Sequence, residues 1–178
     1  MEVITARSKE ISSSSFSLLS FRPSESIITL AAELTEMTND QIRLVKESFR
    51  RIEPLAEEVA VLFYARLFKL DPSLRPLFKT DIREQGFKLM QMLRLIVESL
   101  SRLEELEPEL RSLGDRHFTY GVEDHHYETV GAALLWTFER ALRPNYSAET
   151  KEAWAAVYSL LAQIMKEGSQ APEKAAVS

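Results

Sequence analysis

Apolar residues recur three and four positions apart along most of the chain beyond residue 37, and this spacing predicts amphipathic helices. The first such helix begins behind Thr38, where a hydroxyl residue followed three positions later by Gln41 predicts a capping box. Pro54 ends or restarts this helix. The next helix is apolar over a wide arc, which is typical of a helix buried on two sides. Its apolar positions are Leu55, Val59, Leu62, Phe63 and Leu67, with Ala60, Tyr64 and Phe68 beside them.

Caps and helix breakers divide the remainder of the chain into further helices. Asp71-Pro72 predicts a short capped turn over residues 73–78. Asp81 with Glu84 predicts a second capping box, in front of a long helix over about residues 82–101. Later boundaries are a start at Pro108, a stop at Gly121, a cap at Asp124, a stop at Pro144 and a cap at Ser147. Because no segment alternates with period two, the pattern predicts no sheet. Six or seven helices with short connections predict an all-α domain of about 140 residues.

Residues 1–36 differ from the rest of the chain. They are rich in serine, and their apolar residues come in short clumps without a sustained period, which predicts a disordered or weakly ordered extension. A transit-like segment is a weaker interpretation, and a true start at Met37 is another. The predicted organisation is therefore an extension over 1–36, a folded domain over 37–168 and a flexible tail over 169–178.

Composition excludes several kinds of site. The chain has 178 residues, a formal net charge of −5 and a sequence pI near 5.4, which disfavours nucleic acid as a partner. It has no cysteine, so disulfides, thiolate nucleophiles and cysteine-held cofactors are excluded. Its five glycines lack the spacing of a nucleotide-binding loop. No apolar stretch is long enough to predict a membrane span, so we expect a cytoplasmic protein without a membrane partner.

His117 is the first candidate for chemistry. It follows Leu113 by four residues, which places both on one face of the helix that Gly121 ends. A histidine on an apolar face can be a metal ligand, but taken alone it is more often an ordinary core histidine. The other residues of the predicted helices decide between the two interpretations.

These residues occur in a fixed order along the chain. Phe63-Tyr64 and Phe68 lie in the second helix, Asp71-Pro72 leads to Phe78, and Gln85 and Leu89 stand four apart on the long helix. His117 comes 32 residues after Gln85, and Tyr127 comes ten after His117. With Val130-Gly131, Trp154 and Tyr158 behind them, residues 38–167 resemble a globin, specifically a bacterial single-domain globin related to flavohaemoglobin haem domains. The resemblance implies a globin fold of six to eight helices around haem b.

The resemblance also implies a role for each matching residue. His117 would be the proximal iron ligand through Nε2, with Leu113, Val122 and Tyr127 around it. Its other ring nitrogen would need an acceptor to orient the imidazole. Phe78 would pack against the porphyrin, Leu89 would lie above the iron, and Tyr64 and Gln85 would line the distal side.

Two hydrogen-bond donors on the distal side predict tight dioxygen binding. Dioxygen on a ferrous haem is polarised, and hydrogen bonds to charged groups are worth about 1.5–3 kcal/mol each. Carbon monoxide is less polarised and should gain less. The expected function is reversible, high-affinity dioxygen binding, suited to scavenging or sensing. The alternative is a nitric oxide dioxygenase that depends on a separate reductase, and a lesser one is a haem-free globin-like signalling domain.

The last helix departs from the family pattern. Flavohaemoglobins carry a glutamate in the last helix that tunes the proximal histidine. Here that position falls at Ser169, past the expected helix end, with Glu167 out of register.

Tyr64 can instead be a half-buried core tyrosine and Gln85 a solvated first-turn residue. His125 and His126 are expected to be exposed, with a metal or haem-propionate role as the weaker interpretation.

Overall fold

The computed structural model describes residues 37–169, and these residues form helices without any strand. Six α-helices are joined in part by three short 3-10 helices, which confirms the all-α prediction. The α-helices are α1 Asn39–Ile52, α2 Ala56–Leu70, α3 Ile82–Ser99, α4 Glu107–Thr119, α5 Asp124–Leu142 and α6 Ala148–Ser169. The 3-10 helices are Glu53–Leu55, Pro72–Leu77 and Leu100–Leu106. The predicted extension over 1–36 and most of the predicted tail lie outside the described residues.

Side-chain caps set several of these boundaries. The Thr38 hydroxyl accepts from the Gln41 backbone N–H, and the Gln41 side chain accepts from the Thr38 N–H, so the predicted capping box is present. Asp71 caps the 3-10 helix that Pro72 begins, and Ser147 accepts from the Thr150 backbone N–H at the start of α6. These confirmed caps satisfy N–H groups that have no partner inside the helix.

Two predicted caps were wrong in detail. Asp81 caps α3 by accepting from the Arg83 N–H, without the reciprocal bond from Glu84 that a capping box needs. The cap of α5 is Glu123 rather than Asp124, and its partner in a capping box is the imidazole of His126. Aspartate is the commoner cap residue, so the sequence favoured Asp124, whereas the bond from the Glu123 backbone N–H to the His126 ring starts the helix one residue earlier.

The long helix was also predicted two residues too long. It ends at Ser99, and the chain continues as a 3-10 helix that bends at Arg102, where φ is −153° and ψ is 43°. Within the described part of the chain, no helix combines the length and apolar character needed to cross a membrane.

The core lies where α1, α5 and α6 meet. The ring of Trp154 lies 4.3 Å from that of Phe138 and 6.5 Å from that of Phe49, measured between centroids. Its indole N–H donates to the Ser48 hydroxyl at 2.9 Å, so the buried polar atom has a partner. The surrounding packing holds α2 between α3 and α5.

The helix that carries His117 is packed closely on the last helix. At this α4–α6 crossing, a Cβ added to Gly114 would lie 1.9 Å from the Met165 carbonyl oxygen. A Cβ added to Gly168 would lie 2.2 Å from the Arg111 carbonyl oxygen. The two backbones therefore touch through a pair of glycines, one from each helix, and this contact fixes the position of α4.

Candidate functional site

Tyr64 lies at the centre of an aromatic cluster formed by α2 and the segment that follows it. Its ring centroid is 5.3 Å from that of Phe78, 5.9 Å from that of Phe68 and 5.0 Å from that of Phe63. The Tyr64 side chain is buried, and this burial raises the pKa of its phenol to about 12. Its hydroxyl has no hydrogen-bond partner among the described residues, so its proton is available to a ligand.

Gln85 and Leu89 lie on α3 as the spacing predicted. Leu89 is partly buried and packs against the core. Gln85 is also only partly buried, and its amide nitrogen donates to the Thr80 hydroxyl in the loop before the helix. The structure therefore connects the amide of Gln85 to Thr80 rather than to Tyr64.

His117 lies in the last turns of α4, with one ring nitrogen engaged. Its Nδ1 is 2.8 Å from the carbonyl oxygen of Leu113, one turn earlier. A carbonyl can only accept, so Nδ1 carries the proton and Nε2 keeps its lone pair. Burial lowers the pKa of His117, with a smaller contribution from the charge of Arg116, and so favours the neutral imidazole. A neutral, oriented imidazole is the form that binds iron.

Val122 and Tyr127 lie next to His117. The Tyr127 ring is stacked near the imidazole, with 6.5 Å between centroids and 27° between planes. The Val122 backbone N–H donates to the His117 carbonyl at 3.0 Å and closes the end of α4. The chain turns away at Gly121, whose φ of 88° favours glycine.

Tyr158 supports this group from α6, and its role was not apparent from sequence. Its hydroxyl donates to the Tyr127 carbonyl at 2.5 Å. A Cβ on Gly131 would lie 2.5 Å from the Tyr158 ring, so the small residue makes room for it. The hydrogen bond could not be predicted from the sequence, because every residue has a backbone carbonyl that can accept. The only related signal was Gly131, which lies four residues after Tyr127.

The last helix extends further than predicted. Ser169 was expected past its end but is its final described residue. The carboxylate of Glu167 bonds to the guanidinium of Arg111 at 2.6 Å, and Arg111 also bonds to Glu107 at 2.8 Å. Glu167 thus ties α6 to α4, and neither His117 nor Tyr127 is among its partners in the described region.

The prediction for the two adjacent histidines was half wrong. His125 is exposed, whereas the His126 side chain is buried, and its Nδ1 accepts from the Glu123 backbone N–H at 2.9 Å. A polar residue at a helix start is normally assumed to face solvent, and its use as a cap overrides that assumption.

The chemistry of the site fits a haem. The imidazole offers Nε2 as a ligand atom. Val122 beside it, Phe78 beside Tyr64 and Leu89 on α3 are apolar side chains that the protein only partly covers. Phe118 and Tyr120 flank His117 and are each 60% exposed. An oriented imidazole together with partly covered apolar side chains suits a flat apolar macrocycle.

The family model described as Globin matches residues 61–165. The chain belongs to the globin family. Globins bind haem, and haem-based gas binding is the general property of the family. The match includes Tyr64, Phe78, Gln85, His117 and Tyr127.

Similar proteins include plant and bacterial globins. The chain is 30% identical to the anaerobic nitrite reductase HBII of Casuarina glauca over 72% of its own length and 90% of that protein. A bacterial globin from Campylobacter jejuni shares the fold, with a TM-score of 0.68, 23% identity and coverage of 77% and 99% of the two chains. An engineered carbene transferase from Rhodothermus marinus gives a TM-score of 0.71, 21% identity and coverage of 80% and 99%.

Proposed function

We propose that this globin holds haem b through His117 and binds dioxygen reversibly and tightly. The observation that carries the proposal is the hydrogen bond from His117 Nδ1 to the Leu113 carbonyl, which leaves the lone pair of Nε2 free to bind iron. Haem held there would supply a ferrous iron able to bind a diatomic gas. We also propose that the chain is related to bacterial single-domain globins. The bacterial globin from Campylobacter jejuni shares the fold, whereas the relative at 30% identity is a plant protein.

Tyr64 is proposed as the main distal donor. Its hydroxyl lies among apolar rings, where a hydrogen bond to a polarised ligand is stronger than it would be in water. Its raised pKa keeps the phenol protonated across the physiological range. Tyr64 therefore stabilises a polarised gas and discriminates in favour of dioxygen over carbon monoxide.

Gln85 is proposed as a second donor. In the described conformation its amide bonds to Thr80, so reaching a distal ligand requires a rotation of the side chain. The amide is only partly covered and can exchange one partner for another at small cost. Tyr64 consequently contributes most of the selectivity, and Gln85 adds to it when its amide leaves Thr80.

An absorption spectrum of the purified protein tests the proposal. We expect a Soret band in the ferric, ferrous and carbonmonoxy forms, and we expect His117→Ala to lose the haem or change all three spectra. His125→Ala is the matched control, since it removes an exposed imidazole from α5, whereas His117 lies on α4. A wild-type spectrum for His117→Ala would contradict the ligand assignment, and absence of a Soret band would favour a haem-free signalling domain.

Enzymatic conversion of nitrogen oxides is the second candidate. It is favoured by the relatives from Casuarina glauca and Gossypium hirsutum, both named anaerobic nitrite reductases. The resemblance of the sequence to flavohaemoglobin haem domains implies nitric oxide dioxygenation as the other such reaction. Neither activity lasts without an electron donor, so a separate reductase is part of this candidate.

Stopped-flow mixing separates binding from enzymatic function. The dioxygen form is mixed with nitric oxide, nitrate is measured, and a cell extract is then added to reduce the ferric product. The deoxy form is mixed with nitrite without air in a parallel experiment. Turnover in either arm supports an enzyme, whereas a single stoichiometric reaction without reduction by the extract leaves reversible dioxygen binding as the function.

A further inference from the structure

Three metal-ligating side chains meet outside the proposed haem site. Asp71 caps the 3-10 helix behind α2, whereas His125 and His126 lie in the first turn of α5. Each of the three offers an atom that lies within 4.8 Å of the other two. The two imidazole rings are 4.0 Å apart between centroids. Two segments distant in sequence thus bring together two nitrogen donors and one carboxylate.

We propose that Asp71, His125 and His126 bind a divalent transition-metal ion such as zinc. Imidazole suits zinc, copper and nickel, and a carboxylate completes a set that zinc commonly takes. Zinc lies about 2.0–2.2 Å from such ligand atoms, which places tetrahedral donors about 3.4 Å from one another. Donors that start within 4.8 Å of one another must therefore approach by at most about 1.4 Å. Rotation of the exposed His125 side chain supplies part of this movement, and small shifts of Asp71 and His126 supply the remainder. Three protein ligands leave a further position for water or a small ligand.

Local contacts prepare two of the ligands. One oxygen of Asp71, Oδ1, accepts from the Ser73 backbone N–H at 2.9 Å and from its hydroxyl at 2.5 Å, which leaves Oδ2 for an ion. The Nδ1 of His125 lies 3.4 Å from a carboxylate oxygen of Glu123. A carboxylate on one ring nitrogen orients the ring and makes the other nitrogen a better ligand.

His126 couples the metal site to the start of α5. Because its Nδ1 accepts from the Glu123 N–H, the neutral ring carries its proton on Nε2. A metal at either nitrogen therefore breaks the capping box, by taking Nδ1 or by moving the proton to it. Losing such a cap lowers the apparent affinity by roughly 2- to 30-fold. Metal binding and the capped form of α5 thus exclude each other.

The chain offers few competing nitrogen or sulfur ligands. It has three histidines and no cysteine, and the third histidine is His117. When His117 is bound to haem, the imidazoles that remain are those of the cluster. Any zinc bound through imidazole by the haem-loaded protein must therefore use His125 or His126.

Isothermal titration calorimetry with zinc alone tests the site. The full-length carbonmonoxy protein is titrated, and we expect one equivalent of zinc to bind while the Soret band stays unchanged. His125→Ala should lose this event. Asp71→Asn keeps a good capping residue but a poorer ligand, and it should weaken zinc at least about tenfold, the effect seen even for outer partners of metal ligands. Asp124→Asn is the matched control and should bind zinc as the wild type does.

Two further measurements keep the result independent of haem and of folding. The titration is repeated on His117→Ala, where zinc binding should persist whatever the fate of the haem. Circular dichroism confirms the fold of each variant, and zinc-edge X-ray absorption of the wild type should show two imidazole nitrogens. The proposal is overturned if the wild type takes up no stoichiometric zinc, or if His125→Ala binds it with unchanged affinity.

Discussion

Tyr64 and His117 carry polar groups that are largely buried, and this burial sets the protonation state of each. A phenol in water has abundant partners, whereas the Tyr64 hydroxyl has none among the described residues and keeps its proton free for a ligand. An imidazole in water changes its protonation near neutral pH, whereas burial keeps His117 neutral. The surroundings, rather than the residue types alone, make these two side chains a candidate gas site.

Replacing Tyr64 by phenylalanine should speed dioxygen release about 10-fold or more, because one charge-assisted hydrogen bond is lost. Stopped-flow replacement of dioxygen by carbon monoxide measures this rate. Tyr146→Phe is the matched control, since Tyr146 is another tyrosine whose hydroxyl is buried without a partner in residues 37–169 and whose pKa burial also raises to about 12. An unchanged release rate for Tyr64→Phe would remove it from the distal site.

Acid should destabilise the haem-free protein through His117. Burial lowers the pKa of His117 in the folded state, so below the ordinary histidine value of about 6.5 the unfolded chain takes up the proton first. The stabilisation is complete above that value, falls as the pH drops through it, and levels off below the folded pKa. Urea unfolding at pH 7 and pH 5 measures the loss, which should be smaller in His117→Phe. Equal losses in the two proteins would contradict this assignment.

At the residue scale, the sequence predicted which residues are candidates for the site better than it predicted their hydrogen-bond partners. The spacing of His117 from Gln85 and Tyr127 was enough to mark it as a ligand candidate. The Leu113 carbonyl that orients it could not be chosen in advance, because every residue carries a carbonyl. The burial of His126 was missed for the same reason, since its partner is the backbone N–H of Glu123.

Helix boundaries follow mostly from local chemistry, which is why they could be predicted. Thr38, Pro54, Asp71 and Ser147 act through neighbours within four positions, and their roles were confirmed. The length of α6 was less accessible, because its last turn is held by contacts with α4. Helix ends that depend on another helix carry no local signal.

Gly114→Ala should disturb α4 as a unit. Its methyl group would meet the Met165 carbonyl, so the helices must move apart and His117 must move with them. Overpacking of this kind costs about 1–3 kcal/mol and occasionally more. Urea unfolding measures the loss, and the Soret spectrum should shift if the proximal ligand moves.

The matched control for that substitution is Asp115→Ala, one residue further along α4 at an exposed position. It should change the free energy of unfolding by less than about 0.5 kcal/mol. Wild-type stability and spectrum for Gly114→Ala would show that the two backbones are not in contact.

For the whole molecule, the proposed haem is a stabilising ligand. A ligand that binds only the folded chain at 100 to 1,000 times its dissociation constant stabilises it by about 2.7–4.1 kcal/mol. For a chain of this length the melting temperature should rise by about 5–15 °C on adding haem. Differential scanning calorimetry measures the rise, and His117→Ala should lose most of it. A full rise in that variant would mean that the haem is held without His117.

Architecture at this scale was predicted from the period of the apolar residues, and the family match agrees with it. The period says which face of a helix is buried but not which helix covers it. The close crossing of α4 on α6 and the support of Tyr127 by Tyr158 therefore emerged only from the structure.

The glycine pair at that crossing restricts how this sequence can change. A methyl group at Gly114 forces the helices apart, and the wider gap then has room for a methyl group at Gly168. The two substitutions should be strongly non-additive, with the second costing less than it does alone. A double-mutant cycle measures this coupling directly. Variation at either position is conditional on the other, so a lineage that loses one glycine is freed to lose its companion and cannot easily return.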